Sequence, residues 1–177
     1  MDNTSKYDTT SSSNQTFSYD STEQAYKLQR TSDGFGSVIA NNVSVDTSVE
    51  VSVDIKMTQS YNNQPRISLY NGNNGVGGRL AKWNSGNTIA LGTITKTGDG
   101  NTIGTAKNVS TSWGTYYTIK MTFDGSTVTE ELYNGSTLVD SVTGSQSTLG
   151  SSNGVGLQCC YTNGSIFYFK NLKVKPL

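Results

Sequence analysis

The stretch Trp113–Gly135, WGTYYTIKMTFDGSTVTEELYNG, decides the fold. Tyr117, Ile119, Met121 and Phe123 alternate with Tyr116, Thr118, Lys120 and Thr122, the period-two pattern of a strand with one dry and one wet face. Asp124-Gly125 then reverses the chain, and the pair favours a two-residue type I′ turn because both residues tolerate positive φ. Thr127 to Tyr133 runs back as a second strand, Asn134-Gly135 makes another turn, and Thr137 to Val142 continues the meander. Alternation buries Glu130 between Val128 and Leu132. A lone buried carboxylate is costly, so a bulge or an Arg or Lys partner is expected there.

Outward from this hairpin the same signal repeats. Val49, Val51, Val53, Ile55 and Met57 share one face of a strand and Glu50, Ser52, Asp54 and Lys56 the other. Pro65 opens the next strand, in which Ile67 and Leu69 face inward while Arg66, Ser68 and Tyr70 face outward. The glycine-rich run Asn71 to Gly78 is a turn; no helix follows whose N-terminus could hold an anion, so it is not a phosphate loop. Arg79 to Trp83 and Thr88 to Thr97 are strands. In the second, Ile94 departs from the parity of Ile89 and Leu91, which predicts a bulge at Gly92. Thr97 to Ser112 reads as a polar connection. Towards the end Val155, Leu157, Cys159 and Tyr161 face inward, and a bulge near Lys170-Asn171 would bring Phe167, Phe169, Leu172 and Val174 all into the core. Upstream, Thr16 to Asp20, Gln24 to Thr31 and Phe35 to Asn41 are short strands. Met1 to Gln15 reads as a flexible lead-in, and residues 16–177 as one domain.

Gly, Ser, Thr and Asn dominate, and the hydrophobic share is only 33%, yet ten Tyr, five Phe and two Trp supply a thin sandwich core. No helical apolar spacing competes, so the class is all-β: an antiparallel two-sheet sandwich. Lys plus Arg balance Asp plus Glu at 13 each, which removes the field that draws nucleic acid or anionic lipid. No long apolar window is present for membrane insertion by this segment. The polar, Ser/Thr/Asn-rich composition fits a module of a larger secreted or surface protein. Cys159-Cys160 leaves two readings open: one buried and one outward thiol, or a vicinal disulfide in a distorted strand. With no His and no second thiol pair, zinc ligation is not expected.

Trp113 ahead of an alternating strand, Asp124-Gly125, a second strand ending Tyr133-Asn134-Gly135, then VGLQCCY (155–161) and IFYFKNLKV (166–174), together resemble the laminin G-like and concanavalin A-like jelly-roll domains. The resemblance runs from about Phe17 onward and implies two antiparallel sheets, one of them curved. Members bind carbohydrate, some hydrolyse it, and others hold proteins together on cell surfaces or virions. The glucanase-like glycosidases of this fold carry Glu-x-Asp-x-(x)-Glu, which this chain lacks. Its nearest imitation, Glu50 and Asp54, shares a face, but at about 3.3 Å per residue the two anchors stand roughly 13 Å apart, wider than the about 5 to 9.5 Å of paired glycosidase carboxylates. Glu130 and Glu131 point to opposite faces, and absence of His removes a His-dependent triad.

The expected function is therefore a non-catalytic carbohydrate-binding or adhesin module, extracellular at a microbial cell surface or on a virion, with a glycan or partner surface molecule as ligand. A structural spacer and a glycan-degrading enzyme are the alternatives. If Val49 to Met57, Pro65 to Tyr70 and Arg79 to Trp83 are adjacent, their outward side chains form one platform. Trp83, Tyr70, Arg66, Arg79 and Asp54 would supply stacking faces and planar hydrogen bonds, with Tyr61 at the rim. The resemblance also implies a structural calcium near the chain ends, for which Asp20, Asp33, Asp99 and Asn171 offer oxygens. No other cofactor is expected.

Overall fold

Period-two alternation dictates nearly all of the secondary structure. The computed structural model describes residues 4–9, 13–40, 43, 48–58, 63–83, 86–147, 149 and 154–177, with backbone alone for Trp83, Cys160 and Tyr161. A 3-10 turn at Thr4–Lys6 precedes β1 (Tyr7–Asp8), β2 (Gln15–Asp20), β3 (Ala25–Arg30), β4 (Gly34–Ala40), β5 (Val49–Met57), β6 (Arg66–Asn71) and β7 (Asn74–Trp83). Then come β8 (Gly86–Thr95), β9 (Gly98–Val109), β10 (Tyr116–Phe123), β11 (Thr127–Asn134), β12 (Thr137–Ser145), β13 (Gly154–Tyr161) and β14 (Ile166–Pro176). They form two antiparallel seven-stranded sheets, ordered β1-β4-β13-β6-β7-β8-β9 and β12-β11-β10-β5-β14-β3-β2.

The inward residues of both sheets make one core. Val49, Val51, Val53 and Ile55 of β5 meet Tyr117, Ile119, Met121 and Phe123 of β10 in register, and across the gap lie Val38, Ile67, Leu69, Val76, Leu80, Ile89, Leu91, Val155 and Leu157. Cys159 joins them as a buried thiol. A β-bulge between Lys170 and Lys173, with Asn171 at φ 56°, resets the parity of β14. Leu172 and Val174 thereby pack against the core with the buried Phe167 and Phe169, as the residue pattern requires.

Several expectations are corrected. Residues 98–109, expected as a polar connection, form the long edge strand β9; its Gly, Asn, Thr and Lys side chains are mostly exposed, so no apolar alternation marks it. The Asp124-Gly125 reversal is not type I′, because only Gly125 has positive φ. Asp124 instead accepts hydrogen bonds from the N–H groups of Ser126 and Thr127 at 3.1 and 2.8 Å, and these backbone donors hold its carboxyl below the usual range. The irregularities around Gly92 lie on the β9 side, while β8 keeps strict register with β7. Ile94 therefore faces away from the core that Ile89 and Leu91 enter, and lies over Gly77. Tyr7 pairs with Ala40 on β4, and its ring packs edge-on to Phe17 and Tyr26 at 5.2 and 5.0 Å between centroids.

Glu130 has neither the bulge nor the cationic partner expected. β10 and β11 pair without a break around it, and its side chain inserts between the sheets against Gly78, where an added Cβ would come within 3.0 Å of the carboxyl carbon. Both oxygens are buried, and the Arg79 and Ala90 N–H groups near them are not aligned for full hydrogen bonds. Burial holds the carboxyl well above its ordinary value of 4.5, against the opposing pull of the Arg79 and Ala90 N–H groups and the Arg79 and Arg66 charges. A raised folded-state value means that Glu130 releases its proton more readily on unfolding. Its contribution is full below about pH 4.5 and declines as pH rises towards the raised value. Glu130→Gln should therefore raise the midpoint of urea unfolding at pH 7 while changing it little at pH 4, and a variant destabilised equally at both would contradict this reading.

Candidate functional site

The outer face of the first sheet carries polar residues that are nonetheless buried. Register places Ser37, Gln158, Arg66 and Arg79 side by side across β4, β13, β6 and β7, on the face opposite Val38, Leu157 and Ile67. Ser37 and Gln158 are 0% exposed and Arg66 is 1%. Their cover is the end of the β8–β9 hairpin, which curls back over the row. Ser37 donates to the Lys96 carbonyl at 2.9 Å and Gln158 Nε2 to the Thr95 carbonyl at 3.2 Å. Arg66 gives its NH1 to Asp99 Oδ1 at 2.6 Å and its NH2 to Oδ2 at 3.4 Å, while Arg79 NH1 reaches the same Oδ2 at 3.2 Å. Gln64 Oε1 accepts from both guanidiniums at 3.0 and 3.1 Å, and the Phe35 ring lies 5.6 Å from the Arg66 guanidinium carbon.

Missing side chains make this close approach feasible. The Tyr70 ring lies flat on the same face across Gly75 and Gly156, where added Cβ atoms would stand 2.9 and 2.7 Å from it. Tyr70 is 1% exposed, and burial pushes its hydroxyl up to about 12. Beside the covered row opens a cleft of about 410 Å³, lined among the described residues by Asn71, Asn74, Gly75, Thr93, Ile94, Thr95, Gly100, Gln146 and Leu149. Its polar groups are amides, hydroxyls and backbone. Asn71 Nδ2 donates to the Leu149 carbonyl at 2.8 Å, which fixes one wall.

The expected platform is divided between the two sheets, because β5 pairs with β10 and β14 and not with β6. Arg66, Tyr70 and Arg79 share one face. Asp54 stands on the other sheet, accepting from Thr118 Oγ1 at 2.6 Å and Asn171 Nδ2 at 2.7 Å. The Trp83 backbone closes β7 opposite Gly86, and Tyr61 lies outside the described residues. Asp54's neighbours form a network of their own: Lys56 pairs with Glu23 and lies over the Tyr116 and Tyr168 rings at 5.0 and 4.8 Å. Glu50 pairs with Lys175 at 3.1 Å, and Glu131 with Lys120.

The calcium candidates do not converge. Asp20 accepts from the Thr22 and Glu23 N–H groups and from the Tyr168 hydroxyl, Asp33 from Asn163 N–H, and Asp99 serves the guanidiniums. Among the described residues no three acidic, His or Cys side chains gather where they could hold a metal. Gln64, Gln158, Asn74 and Thr95 were not singled out by the sequence pattern. Asp99 was legible only as a candidate calcium oxygen, not as a partner of the arginines.

No protein-family model and no curated protein sequence matches the chain. Solved structures do. The carbohydrate-binding module CBM66 from Bacillus subtilis superposes with a TM-score of 0.73 at 15% identity, over 96% of this chain and 95% of that one. The fold is the concanavalin A-like jelly roll. The VIP36 exoplasmic/lumenal domain in its Ca2+/Man3GlcNAc-bound form gives 0.72 at 10% identity, covering 98% of this chain and 86% of that one. A legume lectin-like domain from Entamoeba histolytica gives 0.72 at 10% identity, with 98% and 91% covered.

Arg66 is the nearly buried member of the outer-face ion pair, and Asp99 is 24% exposed. Removing the guanidinium leaves the carboxylate and Gln64 with Arg79 as their remaining cation, so Arg66→Ala should lower unfolding free energy by about 2 to 4 kcal/mol. Arg79→Ala, more exposed, should cost about 1 kcal/mol or less. Urea unfolding checks both, and equal losses would refute the assignment.

Proposed function

We propose that this domain is a non-catalytic carbohydrate-binding module of a larger extracellular, cell-surface protein, and that it holds a neutral sugar in the cleft between the Asn71–Asn74 turn and the end of β8. The cleft's chemistry carries this reading. Its size falls within the range of small-ligand sites, and its lining offers amides and hydroxyls to paired sugar hydroxyls without a charged side chain among the described lining residues. Ile94 and Leu149 supply the apolar contact for C–H faces. The similar structures include one named as a carbohydrate-binding module and one bound to Man3GlcNAc, which supports the ligand class.

The non-catalytic part rests on how the carboxylates are used. Glu130 is sealed in the core, where burial raises its carboxyl well above the ordinary value, Glu50 and Glu131 are paired with lysines, and Asp54 is bonded to Thr118 and Asn171. None stands beside the cleft with a second acid at glycosidase spacing. On a glycan array the chain should bind neutral oligosaccharides without turnover, and Asn74→Ala with Thr95→Val should weaken that binding about tenfold or more, the loss of two or three hydrogen bonds. Unchanged binding in the double variant, with loss in Tyr116→Ala on the opposite sheet, would place the site elsewhere.

A further inference from the structure

The row beneath the β8–β9 tip holds more hydrogen-bonding capacity than the tip uses. Gln158 is 0% exposed, yet its Oε1 has no partner, and Arg79 Nε is likewise buried and unpaired. Two guanidiniums also share one carboxylate. Asp99 therefore leaves a net positive charge on a face whose other members, Ser37, Gln64, Ser68, Tyr70 and Gln158, are uncharged. The forked contact of Arg66 with both Asp99 oxygens, closed by Arg79 on one of them, is the planar geometry by which arginine recognises a carboxylate.

The carboxylate comes from a displaceable place. Asp99 sits between Gly98 and Gly100 at the start of an edge strand, and the tip beside it is held to the face by two hydrogen bonds, Ser37 to the Lys96 carbonyl and Gln158 to the Thr95 carbonyl. We infer that the β8–β9 tip is a lid over a second ligand subsite, and that Asp99 stands where the carboxylate of an acidic sugar, a uronate, binds. The inference rests on the reading of the domain as a sugar binder, but its recognition groups, Arg66, Arg79 and Gln158, lie outside the cleft lining.

Charge makes the lid selective. Lifting Asp99 for a neutral sugar leaves Arg66, 1% exposed, facing Arg79 with no counter-charge, whereas a uronate restores the ion pair as it enters. Its ring hydroxyls then meet Gln158 Oε1 and Gln64, and the Phe35 ring flanks the guanidinium. Asp99 thus competes with the ligand, and removing its charge strengthens binding.

The test is an amide NMR titration of the full chain and of Asp99→Asn with D-glucuronate, D-glucose and succinate. Glucuronate should shift the amides of Lys96, Gly98 and Asp99, which lie outside the cleft lining, and the Nε signals of Arg66 and Arg79. Asp99→Asn should bind it about tenfold tighter or more because the internal competitor is gone. Glucose should leave those signals still, and succinate should bind more weakly than glucuronate. Unshifted tip amides in both proteins, no gain in Asp99→Asn, or equal responses to glucuronate and either control would overturn the proposal. Dispersion of the remaining amides reports whether Asp99→Asn keeps its fold. Failure of the neutral-sugar cleft would appear instead in Asn74→Ala with Thr95→Val, whose residues lie outside the guanidinium pair.

Discussion

A single carboxylate shared by two arginines organises the outer side of the first sheet. Asp99 draws the β8–β9 hairpin over the face on which Arg66, Arg79, Gln158 and Ser37 lie in register, and that cover turns an ordinary wet face into a buried polar layer. Buried polar atoms must be matched, and the tip carbonyls of Thr95 and Lys96 match two of them. The cleft is a product of the same curl, because its walls are the residues on either side of the bend: Asn74 and Gly75 on β7, Thr93 to Thr95 on β8.

The two outer faces answer the same problem differently. On the second sheet the polar row stays at the surface and is tied laterally, Lys120 to Glu131 and Lys56 to Glu23, with lysines resting on the Tyr116, Tyr168 and Tyr133 rings. These pairs are part-buried and lie under no covering hairpin, and that face closes on itself. Between the sheets, Arg30 reaches over Gly36 at one end, and Glu130 enters an otherwise apolar stretch of the core. Gly78 opposite Glu130 provides the room, and burial raises the carboxyl well above its ordinary value.

Strand identity and inward parity were legible wherever apolar residues alternate. Val49 to Met57, Tyr117 to Phe123 and Ile67 with Leu69 needed no structure to place, and the Leu172/Val174 shift in parity foretold the bulge that Asn171 makes. β9 escaped because an exposed edge strand has no dry face to write into its sequence. The site was half legible for a related reason. Alternation puts Arg66, Tyr70 and Arg79 on one face, but which strand lies beside which is a matter of sheet order, and β5 belongs to the other sheet, taking Asp54 with it. Nor can alternation foresee a hairpin that folds over its own sheet; the only trace is the glycine at 75, 77, 92 and 156, where other backbones or rings press close.

The central claim is that this jelly roll recognises a sugar at the cleft between the Asn71–Asn74 turn and β8 without transforming it. A crystal structure of the chain soaked with a neutral oligosaccharide tests that most directly. The account predicts an intact oligosaccharide with one ring against Ile94 and Leu149, hydrogen-bonded to Asn74 and Thr95. A cleaved product, or a ligand resting on the Tyr116–Lys56–Tyr168 row of the opposite sheet, would contradict it.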